Sequence, residues 1–497
     1  MTRTTGWVDV PEQLDLIAAL TLTAVVLVVA SLAAGVVERA PLSFPIIFLV
    51  LGFALGPWGA GLLNVDAEGP ALETIGVVTL SLVLFLDAVH LETEELRREW
   101  RVPALVLGPG TALVIGLTTV AGMLLLDLDV VTALLLGTVL ASTDPVVLRD
   151  VLRDTRIPKP VRRTLSVEAG TNDLVVLPTL LVLLAIKTAD PGGTNWPLVL
   201  TEMFVLGPAV GFAIGGAGAK LMGRADARFG VREEYQSLYG VGLVLLSYVA
   251  GEAVGGDGFL AAFAAGFAVA VLNTDLCSCF LDFGQVVSEM AMLAAFVFFG
   301  AALSGAFTQI SLLPAVMLAL LVLLAIRPAS IGLVLTAHRR NLSWPARAFI
   351  AWFGPRGLAS LLFALLVLRE GGGDVRLLAV VGVVVTASVL VHGVTATPLT
   401  GAYAGYIARH TTHEERARSA SGLFTSDDPA VVPRVSADEL TRQLAGPSPP
   451  TVLDVRTRSA LAADPDGIPG STHVLPDEVR DWGARQLHHH PVVLYCT

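Results

Sequence analysis

The sequence contains very little cysteine. Its 497 residues include three, Cys277, Cys279 and Cys496. Three cysteines at this spacing cannot build a framework of several disulfides, and they cannot supply four ligands to a structural zinc ion. The composition therefore excludes a small disulfide-stabilised secreted domain, and it fits a protein kept in a reducing compartment.

Charged residues are scarce as well, at 15% of the chain, whereas 54% of the residues are hydrophobic. The mean hydropathy of +0.72 is more than a soluble domain can hide in one core. The net charge of −11 carries little information, because the charges of such a chain lie in loops and tails. We therefore interpret the chain as a protein of the lipid bilayer, with no nucleic-acid partner.

Apolar runs long enough to cross a hydrocarbon core of about 30 Å, which takes about 20 helical residues, recur along most of the chain. We predict about thirteen transmembrane helices. The approximate spans are 14–37, 42–63, 71–89, 103–126, 130–152, 162–186, 196–222, 236–254, 257–273, 283–305, 311–337, 346–369 and 374–399. Because no basic segment or cleavage site precedes it, the first span is predicted to be retained rather than removed as a signal peptide.

The domain organisation follows from a change of composition. Residues 1–399 form an all-α polytopic membrane domain, and the polar stretch 400–433 is a linker. Residues 434–497 have a soluble pattern with a short helix after Ser436, buried strands at 451–455 and 491–495, and a turn at Ile468-Pro469-Gly470. This last part is predicted to be a partial α/β domain.

The orientation follows from arginine and lysine, which collect in alternate loops. By the positive-inside bias these loops are cytoplasmic, which places the N-terminus outside and the C-terminal tail in the cytoplasm. The basic loop residues are Arg39, Arg97, Arg98, Arg101, Arg153, Arg156, Lys159, Arg162, Arg163, Arg224, Arg228, Arg232, Arg339, Arg340 and Arg347. The segment Thr274–Asp282 is a cytoplasmic loop in this scheme but has no lysine or arginine.

Two spans are interrupted near their middles. The fifth contains Ser142-Thr143-Asp144-Pro145, and the twelfth contains Gly354-Pro355-Arg356-Gly357. Proline removes a helical hydrogen bond and clashes with the preceding turn, so both helices are predicted to break. Interrupted spans at matching places in two halves indicate a transporter with its binding site near the bilayer midplane.

The sixth span carries Glu168, Asn172 and Asp173 inside an otherwise apolar segment. Ionisable groups are costly there and usually have a function. A buried carboxylate can hold either a proton or a hard cation, so we assign the exchange site to Asp173, with purely structural hydrogen bonding as the alternative. Asp144 and Thr143 are expected to supply further oxygens, with Asp173 and Thr143 as ligands of Na⁺.

The remaining polar groups are given supporting roles. Glu168 is expected to form a buried ion pair with Arg356, with direct ion binding by Glu168 as the alternative. Asn172 is expected to bond the freed backbone or Asp144. Asp87 is interpreted as a helix-end group, or alternatively as part of an ion funnel.

These motifs resemble the monovalent cation:proton antiporter-1 family, the sodium/proton antiporters of the NhaP and NHE type. The resemblance covers residues 14–399 and rests on Thr143-Asp144-Pro145, Glu168 to Asp173, Phe85-Leu86-Asp87 and Gly354 to Gly357. It implies an inverted-repeat fold of thirteen helices, a homodimer and elevator-like alternating access. It also implies exchange at Asp173, support of the crossing by Asn172 and Asp144, and a Glu168–Arg356 pair.

The same resemblance bears on stoichiometry and selectivity. An Asn-Asp pair marks the electroneutral branch of the family, whereas electrogenic relatives have two adjacent aspartates. Family members often have serine after the glutamate, but this chain has Ala169. The choice among Na⁺, Li⁺ and K⁺ therefore stays open.

The tail is similar to a rhodanese domain through Leu453 to Arg456, Ile468 to Ser471 and Val492 to Cys496. Cys496 stands where that family has its sulfur-carrying cysteine. The loop and helix that should follow are absent from the sequence, so sulfurtransferase activity is not expected from this chain.

The sequence thus predicts a bacterial inner-membrane antiporter that exchanges Na⁺ or Li⁺ for H⁺ without a cofactor and is not an enzyme. A K⁺/H⁺ antiporter of the same mechanism is the nearest alternative. A membrane-anchored rhodanese-type sensor or sulfurtransferase and an ion channel are the alternatives from other classes.

Overall fold

The computed structural model describes the membrane unit and parts of the tail. The described residues are 44–67, 69–89, 101–144, 148, 151–152, 154, 156–189, 194–272, 274–336, 343–371, 375–410, 435, 437–446, 449–455, 467–474, 482 and 491–495. The chain divides into two compact units, Met1–His410 and Thr411–Thr497. The predicted first span at 14–37 and Cys496 lie outside the described residues.

Where the structure describes the first unit it is built of helices, and seven of the described helices are long and apolar enough to cross a membrane, with mean hydropathies of 1.8 to 2.4. The helices are α1 (Phe44–Leu55), α2 (Pro70–Val89), α3 (Val102–Leu126), α4 (Val130–Val139), α5 (Val161–Thr188), α6 (Trp196–Phe229), α7 (Glu233–Ala253), α8 (Gly258–Leu272), α9 (Thr274–Ala306), α10 (Leu312–Leu335), α11 (Trp344–Trp352), α12 (Leu358–Glu370) and α13 (Val375–His410).

The predicted spans from residue 42 onward each contain one of these helices, or two where the helix is interrupted. The expected loop Thr274–Asp282 is wrong, because this segment is the beginning of α9. Its apolar residues continue the helical pattern without a proline or glycine to end it. Likewise, α13 continues beyond the predicted end at 399 to His410.

Among the described helices, three long ones contain a wide π-helical turn, and each turn either contains a proline or ends two residues before one. In α3 the turn Val106–Gly110 contains Pro109, and in α10 the turn Val322–Ile326 ends two residues before Pro328. In α6 the turn Glu202–Leu206 ends two residues before Pro208. Because proline excludes the carbonyl four residues earlier, a wider turn lets the helix continue without breaking.

The described helices of the first unit pack around three clusters of buried apolar residues. In the first two clusters α9 packs on α1, and the interrupted helices α4, α11 and α12 lie against α5 and α13. On another side of the unit α6 packs along α8. The interruptions in α4 and between α11 and α12 are therefore enclosed by other helices, where backbone groups freed from helical bonding can find partners.

The second unit contains a three-stranded parallel sheet with strand order β2-β1-β3. Its elements are α14 (Ala437–Leu444), β1 (Thr451–Asp454), β2 (Thr472–His473) and β3 (Val492–Tyr495). The predicted turn is present, with Ser471 N donating to Ile468 O at 3.0 Å. The expected burial of the last strand is wrong: β3 lies at an edge of the described sheet, and Val492 and Leu494 are exposed.

Candidate functional site

The two interruptions touch each other. After α4 the chain runs without helix through Ser142 to Asp144, and between α11 and α12 it is extended from Phe353 to Gly357. Asp144 N donates to Pro355 O at 2.9 Å, and Leu358 N donates to Asp144 Oδ2 at 2.9 Å. Asp144 thus joins the two segments and caps the N-terminus of α12, where a negative charge is favourable.

The glycines of the second interruption make this approach possible. A Cβ atom on Gly357 would overlap the carboxylate of Asp144, and one on Gly354 would overlap the guanidinium of Arg327. The two glycines therefore give two charged side chains room against the extended backbone.

Arg356 supports the end of α4. Its side chain is fully buried, and Nη1 donates to Ala141 O at 2.8 Å and to Ser142 O at 2.9 Å. The carbonyls at the end of a helix lack helical partners and carry partial negative charge, so a cation is stabilising there. Arg356 acts as a side-chain cap on the interrupted helix.

The expected ion pair between Glu168 and Arg356 is wrong. Glu168 Oε1 pairs with Arg327 Nη2 at 2.7 Å, and both side chains are buried. Arg327 Nη2 also donates to Phe353 O at 2.8 Å, at the end of α11. The physical reason is that the Arg356 guanidinium donates to the carbonyls of Ala141 and Ser142. The positive charge beside Glu168 is therefore the guanidinium of Arg327 on α10.

Arg327 was missed by the sequence reasoning, although a signal for it exists. It is an arginine inside the apolar helix α10, and such a residue normally has a buried partner or a function. Its presence shows that two arginines, rather than one, are enclosed in this part of the membrane unit.

Asp173 lies beside the first interruption and is 6% exposed. Ser142 Oγ donates to Asp173 Oδ1 at 2.8 Å. No hydrogen bond joins Thr143 to Asp173 in the part of the chain that the structure describes. The hydroxyl that faces the carboxylate therefore belongs to Ser142, a residue to which the sequence reasoning gave no role, although it adjoins the predicted break.

Asn172 holds the interrupted backbone. Its Nδ2 donates to Ala141 O at 2.8 Å and to Thr143 Oγ1 at 3.0 Å. Contact with the freed backbone is one of the two contacts expected from the sequence. The amide oxygen Oδ1 is buried and has no hydrogen-bond donor among the described residues. A buried oxygen without a donor is costly unless a water or a cation satisfies it.

Like charges gather around Asp173. Asp144 and Asp87 both interact with it electrostatically, and Asp87 is partly exposed on α2. Carboxylates that share a low-dielectric space repel one another, so this space attracts a cation or a proton.

Two residues of α13 fix the extended segment from the other side. Ser388 Oγ accepts a hydrogen bond from Arg356 N at 2.7 Å, and His392 Nε2 lies 3.1 Å from Trp352 O. Sequence reasoning missed both, because a serine and a histidine on a long apolar helix carry no distinctive spacing. Both hydrogen bonds are to the backbone at the interruption and at the end of α11.

The arrangement defines a class of protein. A carboxylate enclosed where two interrupted membrane helices meet is the type of ion site that secondary transporters build. A comparison with protein families agrees with this class. Residues 24–401 match the family described as sodium/hydrogen exchanger, transmembrane. The chain belongs to this family of cation:proton antiporters.

Individual relatives are more distant. The chain is 25% identical over 361 residues to a protein named K(+)/H(+) antiporter NhaP from Alkalimonas amylolytica, covering 71% of this chain and 61% of the relative. It is 26% identical over 375 residues to K(+)/H(+) antiporter NhaP2 from Shewanella sp. (strain ANA-3), covering 74% and 64%. The chain thus spans less than two thirds of the length of these relatives.

A solved structure has the same fold. The sodium proton antiporter MjNhaP1 from Methanocaldococcus jannaschii matches with a TM-score of 0.67 at 20% identity, over 79% of this chain and all of that chain. At this identity the likeness shows the fold of the membrane unit.

Proposed function

We propose that the protein is a secondary active antiporter that exchanges a monovalent cation, Na⁺ or Li⁺, for H⁺ at Asp173. The proposal rests on two buried neighbouring residues of α5, Asn172 and Asp173. The Asp173 carboxylate accepts from Ser142, and beside it the amide oxygen of Asn172 has no donor among the described residues. Oxygen ligands of this kind suit a hard monovalent cation.

Exchange follows from the use of one carboxylate for both ions. A proton and a cation neutralise Asp173 equally, so they exclude each other at the site. The empty, charged carboxylate is costly to move through a hydrocarbon environment, whereas either loaded form is neutral. Since Asn172 does not titrate, one proton is exchanged for one cation, and the cycle moves no net charge.

We infer that the interruptions let the site open to each side of the membrane in turn. Arg356, Arg327 and Asp144 hold the ends of α4, α11 and α12 by side-chain hydrogen bonds. We place Thr143 and Asp144 near the transported ion as further oxygen ligands, with Thr143 as a candidate Na⁺ ligand together with Asp173. The remaining oxygen of Glu168, Oε2, has no donor among the described residues, so direct ion binding by Glu168 stays an alternative.

The cellular setting is part of the proposal. We infer a homodimer in the inner membrane of a bacterium, with the N-terminus outside and the tail in the cytoplasm. The alternation of basic loops supports this orientation. The exchanger domain, predicted to end at 399, extends with α13 to His410. The linker follows up to 433, and residues 434–497 form a rhodanese-like domain, for which the parallel sheet is the structural support.

A K⁺/H⁺ antiporter of the same mechanism is the second candidate. The observation that favours it is that the relatives from Alkalimonas and Shewanella are named K(+)/H(+) antiporters. Replacement of the family's frequent serine by Ala169 also removes one hydroxyl from the site.

The test is proton flux in vesicles that contain the purified full chain and a pH-sensitive dye. Gradients of Na⁺, Li⁺ and K⁺ are imposed in turn. We expect Na⁺ or Li⁺ to drive proton movement, and Asp173→Ala to reduce it to the level of empty vesicles. The matched control is Asp127→Asn, which changes an exposed carboxylate at the end of α3 and should leave the flux unchanged.

The possible results separate the candidates. Flux driven by K⁺ alone would favour the second candidate. Unchanged flux in Asp173→Ala would reject exchange at this residue. A membrane potential that builds up during exchange, followed with a voltage-sensitive dye, would reject the neutral stoichiometry.

A further inference from the structure

A groove lies on the outer surface of α6, away from Asp173. It is a shallow, open groove of about 580 Å³ along one face of α6 and the end of α8. Its lining residues are Phe212, Ala213, Gly216, Ala217, Lys220, Leu221, Arg224 and Leu272. The groove is open between α6 and Leu272 because Gly216 has no side chain: a Cβ atom at Gly216 would lie 3.1 Å from Leu272 Cδ1.

The length of the groove matches one leaflet of a bilayer. Its residues on α6 run from Phe212 to Arg224, twelve positions along one helical face, which is about 18 Å at 1.5 Å per residue. Half of a hydrocarbon core of about 30 Å is about 15 Å. An acyl chain lying along α6 would therefore fill the groove from its charged end to near the bilayer midplane.

The two ends of the groove differ in character. At one end Phe212 and the neighbouring small residues are apolar, and Phe212 is exposed to the surroundings of the protein. Leu272 and Leu221, further along the groove, are exposed as well. At the other end lie Lys220 and Arg224, which are exposed and form no ion pair with a described residue. Both lie on the side that the positive-inside bias places toward the cytoplasm.

We propose that this groove binds one anionic phospholipid of the cytoplasmic leaflet, with an acyl chain along Phe212, Gly216 and Leu272 and the headgroup phosphate at Lys220 and Arg224. Arginine and lysine both bind phosphate, and a pair one turn apart can hold a single headgroup. A zwitterionic lipid carries a compensating positive charge and would be held less well. The inference rests on the proposed orientation and does not depend on ion exchange at Asp173.

The test is native mass spectrometry of the purified full chain in detergent. The protein is mixed with equal amounts of phosphatidylglycerol and phosphatidylcholine that carry identical acyl chains. We expect phosphatidylglycerol to be retained in preference. The double substitution Lys220→Gln/Arg224→Gln should reduce its retention by about 30-fold. Ala217→Phe, which fills the groove from its exposed side, should reduce retention of both lipids.

Two control variants change the same helix outside the groove. Arg228→Gln removes a cation one turn further on, which lies against Phe229, and Ala209→Phe adds a ring at an exposed position nearer the start of α6. Both should bind phosphatidylglycerol as the unchanged protein does.

Several outcomes would overturn the proposal. Equal retention of the two lipids would mean that the cations do not select the headgroup. Displacement of phosphatidylglycerol by excess inorganic phosphate would indicate a site for a soluble anion. If Ala217→Phe changed the mass of the assembly from dimer to monomer and left lipid retention intact, the groove would be an interface with a second copy of the chain.

Discussion

The hydroxyl group at the candidate ion site comes from the interrupted segment. In this chain Ala169 follows the buried Glu168 on α5, and it offers no oxygen. Ser142 Oγ instead reaches Asp173 Oδ1 from the break after α4. Because Ser142 belongs to the break, any movement of that segment changes the distance between the hydroxyl and the carboxylate, which couples the site to the interrupted helix.

Removal of the Ser142 hydroxyl should lower the affinity for the cation more than it lowers the stability of the fold. A hydrogen bond to a charged group contributes about 1.5–3 kcal/mol, so we expect Ser142→Ala to raise the half-saturating cation concentration about tenfold or more. Ser142→Thr keeps the hydroxyl and should retain most of the affinity. The measurement is cation-driven proton flux in vesicles over a range of cation concentrations.

The matched control is Ser360→Ala. Ser360 is fully buried on α12, and its hydroxyl has no hydrogen-bond partner among the described residues. It should leave the half-saturating concentration unchanged. An equal change in Ser142→Ala and Ser360→Ala would mean that the effect of Ser142 is general packing and not contact with Asp173.

At this scale the sequence identified the polar residues but not all of their partners. Asp173, Asn172 and Asp144 stand out because charged and amide groups are costly in apolar helices. The partner of Glu168 does not follow from spacing, since Arg327 and Arg356 lie on different elements far along the chain. The choice depends on which carbonyls each guanidinium meets, and the interrupted backbone determines that.

At the scale of elements, each described end of the two interruptions is matched by a side chain of opposite charge. Arg356 binds the carbonyls that follow α4, Arg327 binds the carbonyl that follows α11, and Asp144 caps the start of α12. These contacts offset the partial charges that a helix leaves at its ends. The interrupted helices can therefore end inside the apolar core.

The Glu168–Arg327 pair joins α5 to α10 and should stabilise the membrane unit. Removing one partner of a buried pair leaves the other charge without compensation, at a cost of about 3–5 kcal/mol. We expect Arg327→Gln to lower the midpoint of thermal unfolding strongly. The double substitution Glu168→Gln/Arg327→Gln should recover part of the loss, because neither charge then remains alone.

The comparison with Arg356 tests the corrected pairing. A double-mutant cycle between Glu168 and Arg327 should give a larger coupling energy than a cycle between Glu168 and Arg356, since Arg356 donates to backbone carbonyls. Unfolding of the purified variants in detergent measures both cycles. A larger coupling with Arg356 would contradict the pairing described here.

The predicted elements were most accurate where apolar runs have clear ends. The helix α2 lies close to the predicted span 71–89. The segment Thr274–Asp282 was predicted as a loop because it lies between two predicted spans of ordinary length, 257–273 and 283–305. Polar residues such as Thr274 and Asp275 do not end a helix by themselves, so α9 extends through them.

At the scale of the whole molecule, the boundary between the two units separates the exchanger region from the tail. The family match ends at residue 401, and the first compact unit ends at His410. The groups that surround Asp173 all lie within the first unit, including Ser142, Asn172 and Asp87. Composition places the boundary at 399, because the polar stretch that follows cannot bury a core of its own, whereas the described helix α13 and the first unit continue to His410.

The membrane unit should therefore exchange ions without the tail. We expect a chain that ends at His410 to give cation-driven proton flux within about twofold of the full chain per mole of protein, since compact units fold on their own cores. The measurement is flux in vesicles, with protein amount and monodispersity checked by size-exclusion chromatography.

Asp173→Ala in the shortened chain is the control and should remove the flux. If the shortened chain is monodisperse and helical by circular dichroism but gives no flux, the tail is required for transport, and the assignment of exchange to the membrane unit alone is wrong.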